Sequence, residues 1–384
     1  MYYEIVIMDR ALLPILREHL SRKILLLSGP RQAGKTTLAR MVDNDHDYVS
    51  HDVAEHRRLL RTKAWDRKKR CVIFDELHKM KGWKTWLKGI YDTEGIPPGY
   101  IVTGSARLDT YKKMGDSLAG RFFGFRLHPL DVREILQLDQ TASPQATLDR
   151  ILEFGGFPEP FLEGTSKFYG MWSRSHLDII LRQDLIDTES VQSIPAIETL
   201  IDMIAERVGS PISYRSLCED LQISDKTVKR WLTILENMFV IFKVPPFHRN
   251  IARARQKQPK YYLYDVARVR GDKGAKLENA VACSLFKECQ YRQDALGERY
   301  ELHYLAKRGG PEIDFIVTRD LSPTVMLEVK WSDPEPSPAF RIFAKGQNEA
   351  AKVQLVHLLN RESTYPNGVE VRRASTWLAN WSPQ

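Results

Sequence analysis

Residues 29–36 read Gly-Pro-Arg-Gln-Ala-Gly-Lys-Thr. The spacing G-x-x-x-x-G-K-[ST] suits one task, wrapping a polyphosphate in backbone N–H groups. Gly29 and Gly34 allow the tight curl, with Pro30, Arg31, Gln32 and Ala33 forming the loop between them. Lys35 is expected to reach the outer phosphates, and Thr36 to coordinate Mg²⁺. Thr37 continues into a helix whose N-terminus adds positive potential.

A second stretch supplies the acids such a site needs. Cys71-Val72-Ile73-Phe74 is followed by Asp75-Glu76. An apolar strand that ends in carboxylates sets Asp75 beside the metal. Glu76 is then placed to polarise an attacking water, which favours hydrolysis over mere nucleotide binding. A third strand ends in Thr103-Gly104-Ser105, and Ser105 is the candidate for sensing the outermost phosphate. Arg107 and Arg121 are candidates for an arginine finger, acting in a neighbouring copy.

The C-terminal part carries a separate constellation, Glu312-Ile-Asp-Phe-Ile-Val and then Met326-Leu-Glu-Val-Lys-Trp-Ser. Strand alternation puts Glu328 and Lys330 on one face and Leu327, Val329 and Trp331 on the other. With a turn centred on Leu321, Asp314 stands opposite Glu328. Like charges in that position destabilise a sheet unless a cation lies between them. They are therefore expected to share Mg²⁺ or Mn²⁺, with Lys330 activating water. Glu278, near the start of a helical stretch at 276–288, is the candidate third carboxylate.

The elements that must position these groups follow from pattern. Residues 8–20 read as an amphipathic helix. Lys23–Gly29, Cys71–Glu76 and Gly99–Ser105 read as buried strands separated by helical stretches, which implies a parallel α/β sheet. Residues 138–146 are a polar linker, and 147–208 are helical in pattern. Residues 212–223 read as helix and turn. Ser224 then caps a second helix with Val228, Leu232 and Leu235 inward and Lys226, Thr227, Lys229 and Arg230 outward. A hairpin-like Phe239–Phe247 closes at Pro245-Pro246. This is a winged helix-turn-helix layout, whose second helix can enter a DNA groove.

Bulk properties restrict the partners. Net charge is +8 and the pI about 9.1, which permits nucleic-acid binding. The surplus is concentrated in 56–70 and 248–260, each flanking one of the sites above. The longest apolar run, Ile24 to Leu27, is too short to cross a bilayer. The N-terminus lacks a signal-peptide layout, and four scattered cysteines suit a reducing cytoplasm.

Taken together, the chain resembles bacterial and archaeal ATP-binding proteins that fuse an AAA-type P-loop ATPase core to a C-terminal restriction-endonuclease-like domain. GPRQAGKTTLAR, VIFDELHK, IVTGSARL, DSLAGRFFGFRLHPL, GGFPEP, the 212–246 unit and LEN…EIDF…EVKWS carry the resemblance, over nearly the whole chain. It implies an α/β fold class: an ATPase core at 1–140, a helical linker at 141–208, a winged-helix module at 209–250 and a nuclease-like domain at 251–384. It also implies a ligand set of helix Glu, Asp and E-x-K, carried onto Glu278, Asp314, Glu328 and Lys330, although Ile313 stands where that motif usually has Pro. ATP with Mg²⁺ is the expected cofactor pair. By analogy, a homo-oligomer, a ring included, is the expected assembly. Two functions fit: an ATPase that binds and remodels or cuts DNA, branched or recombining forms included, and a regulatory ATPase acting on a protein partner, its nuclease-like domain non-catalytic.

Overall fold

The computed structural model describes residues 10–105, 118–184, 193–247, 258–307, 309–343 and 350–382. Arg107 and most of the basic segment 248–260 lie outside them. The chain divides into two compact units. The first runs to His128 and takes in Asn237–Phe239 and Asp294–Leu296; the second holds the remainder. The boundary falls at 128 instead of the expected 140, because Val132–Leu138 forms a helix that packs within the second unit. The stretches expected as linker, winged helix and C-terminal domain share that one unit.

In the first unit the elements run α1 (Leu13–His19), β1 (Ile24–Ser28), α2 (Lys35–Val42), β2 (His46–Ser50), α3 (Ala54–Thr62), β3 (Cys71–Asp75), α4 (Trp83–Glu94), β4 (Gly99–Gly104) and β5 (Phe122–Arg126). The five strands make one sheet in the order β2-β3-β4-β1-β5, and every pairing is parallel. Strands β1, β3 and β4 are buried along their whole length, as continuous apolar runs in a parallel sheet must be. Ile24, Leu26, Val72, Phe74, Tyr100 and Val102 share one core with Trp65, Leu87 and Ile90. Phe74 stacks on Tyr100 at 5.9 Å and meets Trp65 and Trp86 edge-on.

The second unit opens with helices: α5 (Val132–Leu138), α6 (Pro144–Phe154), α7 (Pro158–Glu163), α8 (Ser166–Ile179) and α9 (Ile194–Glu206). α10 (Tyr214–Leu221) and α11 (Asp225–Asn237) follow, then β6 (Ile241–Val244) and β7 (Lys260–Leu263). Gln222, in the left-handed region, ends α10, and the Ser224 hydroxyl accepts the Thr227 N–H at 3.1 Å to cap α11. Val228, Leu232 and Leu235 are buried, as the spacing predicts. The hairpin expected within 239–247 does not form; β6 pairs antiparallel with β7 instead. The two prolines end β6 because they have no N–H to offer a ladder.

The rest of the unit is α12 (Lys273–Leu296), β8 (Tyr300–Ala306), β9 (Glu312–Arg319), β10 (Ser322–Lys330), α13 (Ala339–Phe343), β11 (Ala351–Val356), β12 (Ser363–Thr364), β13 (Val369–Arg373) and α14 (Ala374–Asn380). Its sheet has the order β12-β13-β11-β10-β9-β8. The β9–β10 hairpin turns on Asp320 and Leu321, both with positive φ (49° and 66°), as a two-residue type I′ connection requires. Arg319 pairs with Ser322, and an irregularity between Pro323 and Val325 shifts the register by one, so that Phe315 faces Leu327. Leucine is poorly suited to that φ. Leu321→Gly is therefore expected to raise stability by about 1 kcal/mol, read as a higher urea midpoint with an unchanged slope.

Candidate functional site

The loop after β1 has the conformation the chemistry asks for. Gly29 (φ 149°) leaves no room for a side chain, since a Cβ would lie 2.2 Å from the Leu127 carbonyl oxygen. Gly34 is left-handed (φ 96°) and caps α2. Gln32 also has positive φ, at 60°. Arg10, 5% exposed, braces the loop by donating to the Ala33 carbonyl at 3.0 Å. Lys35 is buried, its ammonium donating to the Gly29 and Pro30 carbonyls at 2.9 and 2.7 Å. Arg31 is half-buried, and Thr37 is exposed on the first turn of α2.

Asp75 ends β3 between two strands that both reach it. Its Oδ1 accepts from Thr36 Oγ1 at 3.2 Å and from Thr103 Oγ1 on β4. Its Oδ2 accepts from the Tyr48 phenol on β2 at 2.5 Å. Burial, and then Asp75 itself, push Tyr48 up to about 12, so the phenol remains a donor. The pairing of Thr36 with Asp75 is the arrangement read from spacing. Tyr48 was missed, and one tyrosine in the mixed strand His46–Ser50 offers no pattern that would have flagged it.

Glu76 has a left-handed backbone (φ 53°, ψ 28°), a costly state for a residue with a side chain. Its Oε2 accepts from Ser105 Oγ at 3.3 Å, with His78 and Lys79 each 3.8 Å away. Burial raises its carboxyl above the usual range, against the pull of Lys35 and Lys79. A carboxylate moved in that direction is a better proton acceptor. Ser105, expected to sense the outermost phosphate, is thus brought to Glu76.

Arg121 does not. Its carbonyl receives the Ile24 N–H at the start of β1, so it lies at the opposite end of the sheet from Gly29. Five residues at roughly 3.3 Å each separate the two ends. Its guanidinium is engaged by Asp92 at 2.6 and 3.2 Å, which rules out a finger onto its own phosphate loop.

Residues 21–136 match a family model described as an AAA domain. With the loop, Asp75 and Glu76 in place, that match decides the first unit. It is an AAA-type P-loop ATPase domain. Residues 145–270 and 273–375 match two models, each described as a domain of unknown function, DUF8612 and DUF4143. An uncharacterized protein of Mycobacterium tuberculosis is 26% identical over 246 residues, 63% of this chain and 54% of its own length. One from Haemophilus influenzae is 22% identical over 85% of this chain and 82% of its own, and one from Methanocaldococcus jannaschii 23% over 77% and 72%. The chain thus spans about half the length of the mycobacterial relative. Among solved structures, a signal transduction ATPase with numerous domains from Pyrococcus horikoshii, with a tetratricopeptide repeat sensor, is 16% identical at a TM-score of 0.25, over 77% of this chain and 48% of its own.

Beyond the ATPase domain, the C-terminal carboxylates gather, but around a side chain and not in a metal cage. Continuing the β9–β10 register, Glu328 stands level with Asp314, and the two side chains share a hydrogen bond. Lys260, at the start of β7 and fully buried, brings its ammonium to 3.2 Å from Glu278 and 3.7 Å from Asp314, and into an ion pair with Glu312. The Tyr262 phenol donates to Glu278 at 2.7 Å. Among the described residues, no group of three or more His, Cys, Asp or Glu side chains could hold a metal ion. The metal set expected on Glu278, Asp314 and Glu328 is replaced by this ion-pair cluster. Lys330 ends β10, half-buried. Lys260, the last residue of the basic segment 248–260, turns inward; the clue was its place at the head of the apolar run Tyr261–Tyr264.

Burial would lower the Lys260 ammonium, but Glu278, Asp314 and Glu312 together hold it above its usual range. Burial and then Glu328 push Asp314 up to about 7. A carboxyl raised on folding adds stability below its unfolded value, and that contribution is lost as pH climbs through the folded value. Asp314→Asn is therefore expected to be more stable than the parent at pH 8, with the advantage fading toward pH 5. Urea unfolding of both across that range reads the difference, whose slope is at most about 1.4 kcal/mol per pH unit.

Proposed function

We propose that this chain is a Mg²⁺-dependent ATP hydrolase whose nucleotide cycle controls its grip on DNA. The observation that carries hydrolysis is the pairing of Asp75, bonded to Thr36, with a half-buried Glu76 just after β3 whose carboxyl is raised. Thr36 and Asp75 offer the hard oxygen donors that Mg²⁺ takes. Mg²⁺, when bound, would neutralise charge on the phosphate oxygens. Lys35 would exchange its loop carbonyls for phosphate, Glu76 would accept the proton of the attacking water, and Ser105 would hold Glu76 in line. Glu76→Gln is expected to keep ATP binding and to lower turnover about 10²–10⁴-fold, whereas Lys35→Ala is expected to lose binding. Nucleotide titration beside phosphate release separates the two.

For the DNA part of the reading, α11 begins with exposed Lys226, Lys229 and Arg230 and half-buried Thr227. The β6–β7 connection adds Arg249, Arg253, Arg255 and Lys257 in sequence, where a winged helix carries its wing. On this reading the C-terminal sheet, with Asp314 and Glu328 level on a hairpin, is a nuclease-like domain. With Lys260 among its acids, this reading makes it a recognition surface and not a cutter.

The second reading is a regulatory ATPase with a protein partner. One observation favours it: Lys229 is tied to Asp225 at 2.6 Å, which weakens the basic face of α11. Supercoiled, linear and four-way-junction DNA, each with ATP and Mg²⁺ or Mn²⁺, distinguish the readings. DNA binding that falls with salt, faster ATP hydrolysis and no strand breaks are expected. Absence of binding at low salt sinks the DNA reading, and breaks abolished by Glu328→Ala sink the non-cutting C-terminal unit.

A further inference from the structure

Tyr48 has no part in the reading of the ATPase site above, yet its surroundings are specific. It lies in mid-strand on β2, the edge strand next to β3. Its phenol donates to Asp75 Oδ2 at 2.5 Å, the oxygen that Thr36 and Thr103 leave to it. Its ring is gripped from two helices: the Arg40 guanidinium of α2 lies 4.1 Å above it, and the His56 ring of α3 meets it edge-on at 6.4 Å. His56 is itself fixed, its Nδ1 accepting the Ser50 N–H at 3.1 Å.

A carboxylate that helps hold a metal can turn about its last bond, and each turn presents a different lone pair. Donors on one oxygen alone restrain that rotation from one side only. The two threonine hydroxyls act on Oδ1 only. A phenol on a rigid ring, bonded to Oδ2, removes the remaining freedom. Because the ring packs under Arg40 of the helix that begins at Lys35, the same contact ties the acid to the helix that carries Thr36.

We propose that Tyr48 is a positioning residue for the metal, setting the orientation in which Asp75 meets Mg²⁺. The inference rests on the Mg²⁺–ATP reading of the site. It is confined to the metal: Tyr48 bonds to Asp75 and its ring packs against Arg40 and His56, so nucleotide alone should not register its loss.

The test compares the full-length parent with Tyr48→Phe, which keeps the ring and its stacking and removes only the hydroxyl. Turnover is measured against Mg²⁺ concentration, and binding of a fluorescent ATP analogue is measured with Mg²⁺ and with EDTA. The expected result is a rise of about tenfold or more in the Mg²⁺ concentration for half-maximal turnover, turnover at saturating Mg²⁺ within a few-fold of the parent, and unchanged analogue affinity in EDTA. Equal Mg²⁺ requirements in parent and variant overturn the inference while leaving the hydrolase reading intact. An equal loss of analogue affinity with and without Mg²⁺ also overturns it, since that marks general damage to the domain. A parent whose turnover ignores Mg²⁺ removes the hydrolase reading and this inference together.

Discussion

Asp75 is a carboxylate almost wholly withdrawn from water, and three hydroxyl groups replace the water it has lost. They come from β2, β4 and the start of α2. The strand order makes this possible, because β3 is flanked by β2 and β4 while β1 delivers its loop from beyond β4. Any other order would leave the acid short of donors, and an unsatisfied buried charge is among the costliest features a fold can carry. The parallel sheet, the close approach of Leu127 to Gly29 and the brace from Arg10 all serve to keep those few atoms within reach of one another.

The second unit meets the same difficulty by another route. Four carboxylates lie close together on α12, β9 and β10, and they are reconciled by one ammonium, one phenol and a hydrogen bond between Asp314 and Glu328. The ammonium answers Glu278, Glu312 and Asp314 together, and the hydrogen bond joins the pair that faces across the hairpin. A lysine inserted this way does what a divalent ion does in a metallo-site, but it is permanent. It holds the acids together without adding an open coordination position for water or phosphate.

Much of the first unit was legible in the sequence because its chemistry is local. The phosphate loop is eight consecutive residues, and Asp75 follows a run that can only be a buried strand. The edge strands were not legible: β2 reads His-Asp-Tyr-Val-Ser, with no polar–apolar alternation, and β5 is half-exposed with a glycine inside it. The pairing of Asp314 with Glu328 was found for a partly accidental reason, since a turn centred on Leu321 and a two-residue turn followed by a bulge lead to the same register. Lys260 escaped because a basic run in sequence says nothing about which of its members turns inward.

The left-handed backbone at Glu76 sets function against durability. A glycine or asparagine there would relax the bend after β3 at little steric cost, and the chain would tolerate heat better for it. A glutamate at this bend thus costs stability that a residue at ease in the left-handed region would return, and thermal unfolding of the chain starts from a lower ceiling for it.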